Sequence, residues 1–179
     1  MPILTISGPE FETEENELNL LQEEKPLVCV FDPIAAHAPI LDFALAGLRD
    51  RINIFWQSLF SRFWIEIGGI TEEMHRGLIA IKRPVLLISE LEVVPPGYTY
   101  GIEMLKNFRQ TDRLKDTPLI VISSPDCLSK AFEEASKELK ELRVSQFFNW
   151  KDLEKLPEEQ KRLFDFVSQI LASRNKSQK

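Results

Sequence analysis

Two unbroken apolar runs constrain the fold of this chain more than any other feature. They are Val85-Leu86-Leu87-Ile88, which leads into Ser89-Glu90, and Leu119-Ile120-Val121-Ile122, which leads into Ser123-Ser124. A strand with one wet face alternates apolar and polar residues, whereas a strand covered on both faces reads as a continuous apolar run, so both segments are expected inside a parallel sheet. Each carries polar groups at its C-terminal end and is followed by a helical pattern. A site is therefore expected at the carboxyl edge of the sheet.

The surrounding segments extend this pattern. Leu27 to Phe31, after Pro26 and closed by Asp32-Pro33, reads as a first buried strand with Asp32 at its carboxyl edge. From Ala38, the positions Leu41, Leu45, Leu48, Ile52, Phe55 and Leu59 alternate spacings of four and three, the stripe of an amphipathic helix. That stripe predicts a long first helix; a break near Arg51, with Ile52-Asn53-Ile54-Phe55-Trp56 extended, is the competing reading. Residues 63–67, closed by Gly68-Gly69, predict the second strand, and Thr71 is a good N-cap for a helix through Ile81. Pro95-Pro96-Gly97 predicts a loop, and Ile102, Leu105, Lys106 and Phe108 predict a short helix ending near Arg109. A charged helix over residues 129–142, a last strand over 144–148 and a last helix carrying Leu163, Phe166, Val167, Ile170 and Leu171 complete the set. The expected class is α/β: a doubly wound five-stranded parallel sheet in a three-layer sandwich, with an extended first helix.

With 179 residues and 44% hydrophobic composition the chain has material for one core rather than two. Glu10, Glu12, Glu14, Glu15, Glu17, Glu23 and Glu24 appear without an intervening Lys or Arg, so residues 1–24 are expected as a flexible acidic leader. Residues 25–173 form the expected domain, and 174–179 a polar tail. A net charge of −6 without a basic stripe argues against nucleic acid or an anionic membrane as a direct partner. Cys29 and Cys127 form neither a CxxC pair nor a disulfide framework. No signal-peptide pattern opens the sequence and no segment has the length of a membrane span, so a cytoplasmic location is expected. His37 and His75 each lack a Cys or His at ligand spacing, so neither metal nor cofactor is expected. No phosphate-binding Gly-rich loop or hydrolase elbow is present, and no enzymatic activity is expected.

The strand ends resemble those of response-regulator receiver domains, over roughly residues 26 to 172. In that family the first strand ends in acidic residues that hold Mg²⁺ and are followed by Pro; here Val30-Phe31-Asp32-Pro33 keeps only Asp32. The third strand ends in the aspartate phosphoacceptor, and Glu90 stands in its place. Ser123 corresponds to the Ser or Thr ending the fourth strand, and Phe147 to the switch aromatic. The Lys-Pro pair after the fifth strand is absent: Trp150 occupies the Lys position and Lys151 follows it. Phosphoryl transfer to a carboxylate relies on a cation and a positively charged side chain to neutralise the moving group, and the loss of an acidic Mg²⁺ ligand and the displacement of the Lys remove much of that support.

The resemblance thus implies a pseudo-receiver, a stand-alone signalling module that acts through protein contact without phosphorylation. The expected partner is a signalling component or transcription regulator. Because few residues follow the last helix, output through contact is expected rather than through an attached DNA-binding unit. Asp32, Glu90, Ser123 and Lys151 are the expected remnants of the phosphoacceptor site, with Lys151 in reach of Glu90 or Asp32. Glu90 as a simple solvated strand-end carboxylate, and Asp32 as a turn residue, are the plainer alternatives. Gln146, Phe147, Phe148 and Trp150 are the interface candidates, Phe148 and Trp150 as exposed aromatic anchors. The long first helix, extended by Trp56, suggests a homodimer face. Two other functions fit the same features: phosphotransfer through another acceptor, Ser89 or Glu92, and ligand binding by a flavodoxin-like domain.

Overall fold

The computed structural model describes residues 4–6, 25–32, 34–57, 83–92 and 98–177. Its strands are β1 (Leu4–Ile6), β2 (Leu27–Phe31), β3 (Asn53–Gln57), β4 (Leu86–Ser89), β5 (Leu119–Ser123) and β6 (Gln146–Asn149). Its α-helices are α1 (Ala38–Ala44), α2 (Thr99–Gln110), α3 (Pro125–Glu134), α4 (Ser136–Glu141), α5 (Trp150–Lys155) and α6 (Pro157–Ser177). The strands pair in the order β1-β3-β2-β4-β5-β6, every pair parallel. Without the edge strand β1, this is the order of flavodoxin-like doubly wound sheets. The order reverses between β2 and β4, which opens a crevice at their carboxyl ends.

The apolar runs form interior strands because successive side chains enter two separate cores. Leu27, Cys29 and Phe31 of β2, Leu87 of β4, and Leu119 and Val121 of β5 face one side, against Leu105 and Phe108 of α2 and Leu128 and Ala131 of α3. Val28 and Val30, Leu86 and Ile88, and Ile120 and Ile122 face the other, against Leu41 of α1, Leu153 of α5, and Leu163 and Val167 of α6. Both layers need close approach at defined points. A Cβ on Gly101 would lie 2.2 Å from the Leu91 carbonyl oxygen, so α2 can settle over the end of β4 only with glycine there.

Two N-caps turn the chain sharply at the carboxyl edge. Ser124 accepts from the Cys127 N–H at 3.3 Å and Pro125 opens α3, where a missing N–H costs nothing. Asn149 accepts from the Asp152 N–H at 2.8 Å, so α5 starts at Trp150 with no intervening loop.

Several expectations are corrected here. The first helix is not extended: α1 ends at Ala44, a 3-10 turn spans Ala46–Leu48, and the Ile52 segment is the strand β3, paired on both sides. The stripe of spacings of four and three holds only to Leu48; past Arg51 the β-branched and aromatic residues find strands on either side, and tertiary pairing wins over helical periodicity. The argument for a homodimer through a long helical stripe falls with it. The sheet has a sixth strand, because Leu4–Ile6, inside the expected leader, adds to its edge beside β3. The charged helix is divided at Ala135, where the backbone leaves helical geometry (φ −128°, ψ 26°), and it begins at Pro125. The strand expected over 63–67 and the helix expected over 71–81 lie outside the described residues.

Candidate functional site

The crevice between β2 and β4 is built by register. Phe31 pairs with Ser89, so Asp32 and Glu90 are the first residues beyond two adjacent strands, and the Glu90 N–H donates to the Phe31 carbonyl at 2.8 Å. Ser123 closes β5 and pairs with Asn149, which places Trp150 one residue past the same edge. Asp32, Glu90, Ser123 and Trp150 therefore converge although they come from four separate stretches of sequence. Glu90 and Asp32 are not solvated: their exposures are 2% and 0%.

A buried carboxylate needs donors, and Glu90 has them. Its Oε1 accepts from the backbone N–H groups of Leu91 (2.8 Å) and Glu92 (3.0 Å), and its Oε2 accepts from the Trp150 indole at 2.6 Å. Burial pushes the Glu90 carboxyl above its ordinary range. The adjoining Ser123 hydroxyl, the Glu92 N–H and the Trp150 indole work the other way, while the charge of Asp32 adds to the rise. Ser123 Oγ is buried without a hydrogen-bond partner of regular geometry.

Asp32 is both a turn residue and more. Its Oδ1 accepts from the Ile34 N–H at 2.6 Å, the Asx arrangement expected before a proline-led turn, and its Oδ2 lies 2.7 Å from His37 Nδ1. His37 stacks on Trp150 with ring centroids 4.1 Å apart, so the imidazole closes the cluster from the solvent side. His37 escaped sequence reasoning because its partners are carboxylates rather than Cys or His; its position five residues after Asp32, across a turn, was the available signal. Asp32, His37 and Glu90 offer ligand atoms that all lie within 4.8 Å of one another, a grouping the lone-histidine argument did not foresee.

The expectations for Lys151, Trp150 and Phe148 need correction. Lys151 is exposed and, among the described residues, forms no ion pair with Glu90 or Asp32. Trp150 (6% exposed) and Phe148 (2%) are core residues rather than surface anchors, because the Asn149 cap turns the indole inward and Arg162 lies over the Phe148 ring, 4.0 Å from its centroid. Gln146 and Phe147 are half-buried; Phe147 packs edge-on against Phe132 at 4.8 Å, and Phe132 is 46% exposed. The two alternative acceptors differ as well. Ser89 is fully buried and donates to the Glu90 carbonyl, while Glu92 is half-buried and accepts from Ser124 Oγ at 3.2 Å.

No family model and no curated protein matches the sequence. Solved structures do match in fold. A response regulator from Hahella chejuensis superposes with a TM-score of 0.56 at 13% identity, over 82% of this chain and 96% of that one. A sensor protein from Polaromonas sp. JS666 superposes at 0.53 with 14% identity, over 83% and 97%. The phosphorylated cyanobacterial phytochrome response regulator RcpA superposes at 0.51 with 18% identity, over 82% and 91%. The fold is that of receiver domains.

Proposed function

We propose that this chain is a non-enzymatic signalling module, a pseudo-receiver that acts through protein contact and is not controlled by phosphorylation. The observation that carries this reading is the state of Glu90. At the strand end where the receiver resemblance calls for a phosphoacceptor, the carboxylate is buried and both oxygens already accept hydrogen bonds, one from the indole that stands in the Lys position. An attacking carboxylate needs a free, accessible oxygen in line with the phosphorus and cations around the moving group. Glu90 lacks that access and, among the described residues, has no Lys partner, and Trp150 supplies a neutral donor where positive charge is required.

Phosphotransfer through Ser89 or Glu92 is the weaker reading. The Ser89 hydroxyl is buried and engaged with the backbone, and Glu92 is tied to Ser124. The partner face on this reading is the ridge of Phe132, Phe147 and Gln146, where an exposed aromatic ring rests on a half-buried one. On this reading the partner is a signalling component or transcription regulator.

The test is intact-mass spectrometry of the full chain after incubation with Mg²⁺ and a small phosphodonor such as acetyl phosphate, with an active receiver as the positive control. The expected mass is unchanged. A phosphoryl adduct mapping to Glu90, Glu92 or Ser89 overturns the proposal and restores a kinase-controlled switch.

A further inference from the structure

A chain wound into a parallel sheet returns to the same edge before every strand, so residues repeated at that period are collected in one row. Lys25, Arg51, Arg83, Lys115 and Arg143 lie 26, 32, 32 and 28 residues apart, each two to four residues ahead of a strand. No basic stripe is visible in the sequence because long segments separate them. The sheet order sets them side by side at its amino edge, as Arg51, Lys25, Arg83, Lys115 and Arg143. Backbone bonds from the N–H groups of Asn53, Val85, Leu87 and Ser145 to the carbonyls of Pro26, Leu27, Pro118 and Leu119 hold these strand entrances together. Four spacings between strands make the row about 19 Å long.

The fold fixes cations in this row against their mutual repulsion. Arg143 takes a left-handed φ of 51°, uncommon for a residue with a side chain. Its carbonyl accepts from Arg109 Nη2 at 3.1 Å and its own Nη2 donates to the Lys115 carbonyl at 2.8 Å, which holds its guanidinium beside the Lys115 backbone. Burial first, and then the charge of Arg143, lower the Arg109 guanidinium below its ordinary range; the bond to Asp112 raises the Lys115 ammonium, and the nearby charge of Arg83 opposes it. Such crowding destabilises the free chain and is relieved by an anionic partner. The acids present compensate weakly, because the Lys115 pair with Asp112 (3.0 Å) and the Arg143 pair with Asp116 (3.6 Å) are both exposed. Arg51 and Arg83 are exposed, and their side chains form no hydrogen bond or ion pair among the described residues.

We propose that this amino edge binds an acidic segment of a partner protein, whose carboxylates pair with Arg51, Arg83 and the cations beside them. An extended peptide of about six residues spans the row, and a guanidinium takes a carboxylate through two parallel bonds. Nucleic acid fits less well: the net charge of −6 and the interspersed Asp50, Asp112 and Asp116 repel closely spaced phosphates, and the row has no aromatic ring on which bases could stack. The surface lies at the opposite edge from Glu90, so its test is independent of the phosphodonor experiment.

The experiment is fluorescence anisotropy of the full chain with a fluorescein-labelled peptide of alternating Glu and Ser, beside the same peptide with Gln for Glu and a labelled single-stranded oligothymidine. The Glu peptide is expected to bind and the Gln peptide not, with affinity falling at least about tenfold between about 50 and about 200 mM NaCl. Arg51→Glu with Arg83→Glu is expected to weaken the Glu peptide at least about tenfold while leaving the far-ultraviolet circular dichroism unchanged. Lys130→Glu with Lys155→Glu makes the same change of charge at exposed positions on α3 and α5, which begin at the opposite edge, and should leave the affinity within about twofold. No binding of the Glu peptide at low salt overturns the surface, and so does an equal loss in the two double variants. Tighter binding of oligothymidine than of the Glu peptide also overturns it, since the partner would then be a nucleic acid.

Discussion

The hydrogen bond from the Trp150 indole to Glu90 links residues sixty positions apart, and its energy can be measured without removing the site around it. Glu90→Gln keeps an oxygen for the Leu91 and Glu92 N–H groups but turns an amide N–H₂ toward the indole, so two donors face each other. Trp150→Phe keeps an aromatic ring beside His37 but removes the indole donor. Each single change is expected to cost about 1–3 kcal/mol, the usual cost of stranding one partner of a buried bond. Together they should cost less than the sum, with a coupling of about 1–3 kcal/mol in urea denaturation. A coupling indistinguishable from zero would mean that the indole contributes only packing. At this scale little of the site was legible. Glu90 and Asp32 were visible as strand-end acids, but whether a carboxylate at a strand end is wet or buried depends on what neighbouring segments place over it. Here that is Trp150 and His37, and neither belongs to a strand.

Among the elements, the turn after α2 is tied to the rest of the fold by several bonds from one side chain, with a further bond from Arg143 to the Lys115 carbonyl at 2.8 Å. Arg109, near the end of α2, donates from Nε to the Leu142 carbonyl (2.7 Å), from Nη1 to those of Lys115 (3.1 Å) and Thr117 (2.8 Å), and from Nη2 to that of Arg143 (3.1 Å). It thereby ties the connection into β5 to the connection into β6, where Arg143 takes a left-handed φ of 51°. The planar guanidinium reaches divergent carbonyls that a lysine ammonium cannot reach together. Arg109→Lys is expected to lose about 2–3 kcal/mol. It should also raise amide hydrogen exchange across residues 111–118 and 142–145 before the rest of the sheet. Exchange that rises uniformly would show that the two connections are not held by this residue. The sequence marked Arg109 only as a helix end. Backbone carbonyls have no sequence signature, so a clamp that recognises them is invisible until the chain is folded.

At the scale of the whole molecule, the two-sided core makes a prediction about the thiols. Cys29 lies fully buried in β2, between β3 and β4, and burial pushes its thiol well above the ordinary range; Cys127 sits in the first turn of α3, nearer the edge. Labelling of Cys29 by a thiol reagent is expected to require global unfolding and to accelerate with urea as the global equilibrium does, whereas Cys127 should label earlier through local opening. Labelling of Cys29 at a rate indifferent to urea would place β2 outside the cooperative core. The parallel sheet and its two covering layers were determined by the sequence alone, because a strand buried on both faces must be apolar at every position, and the runs at Leu27, Val85 and Leu119 are. The end of the first helix and the identity of β3 were decided by tertiary structure, because Ile52 to Trp56 satisfies helical and extended patterns alike until strands on both sides offer hydrogen bonds. The site was decided in the same way: strand register brings Asp32, Glu90 and Ser123 to one edge, and the cap at Asn149 turns Trp150 over them. Those distances are set by how segments far apart in sequence pack together, and no local pattern carries that information.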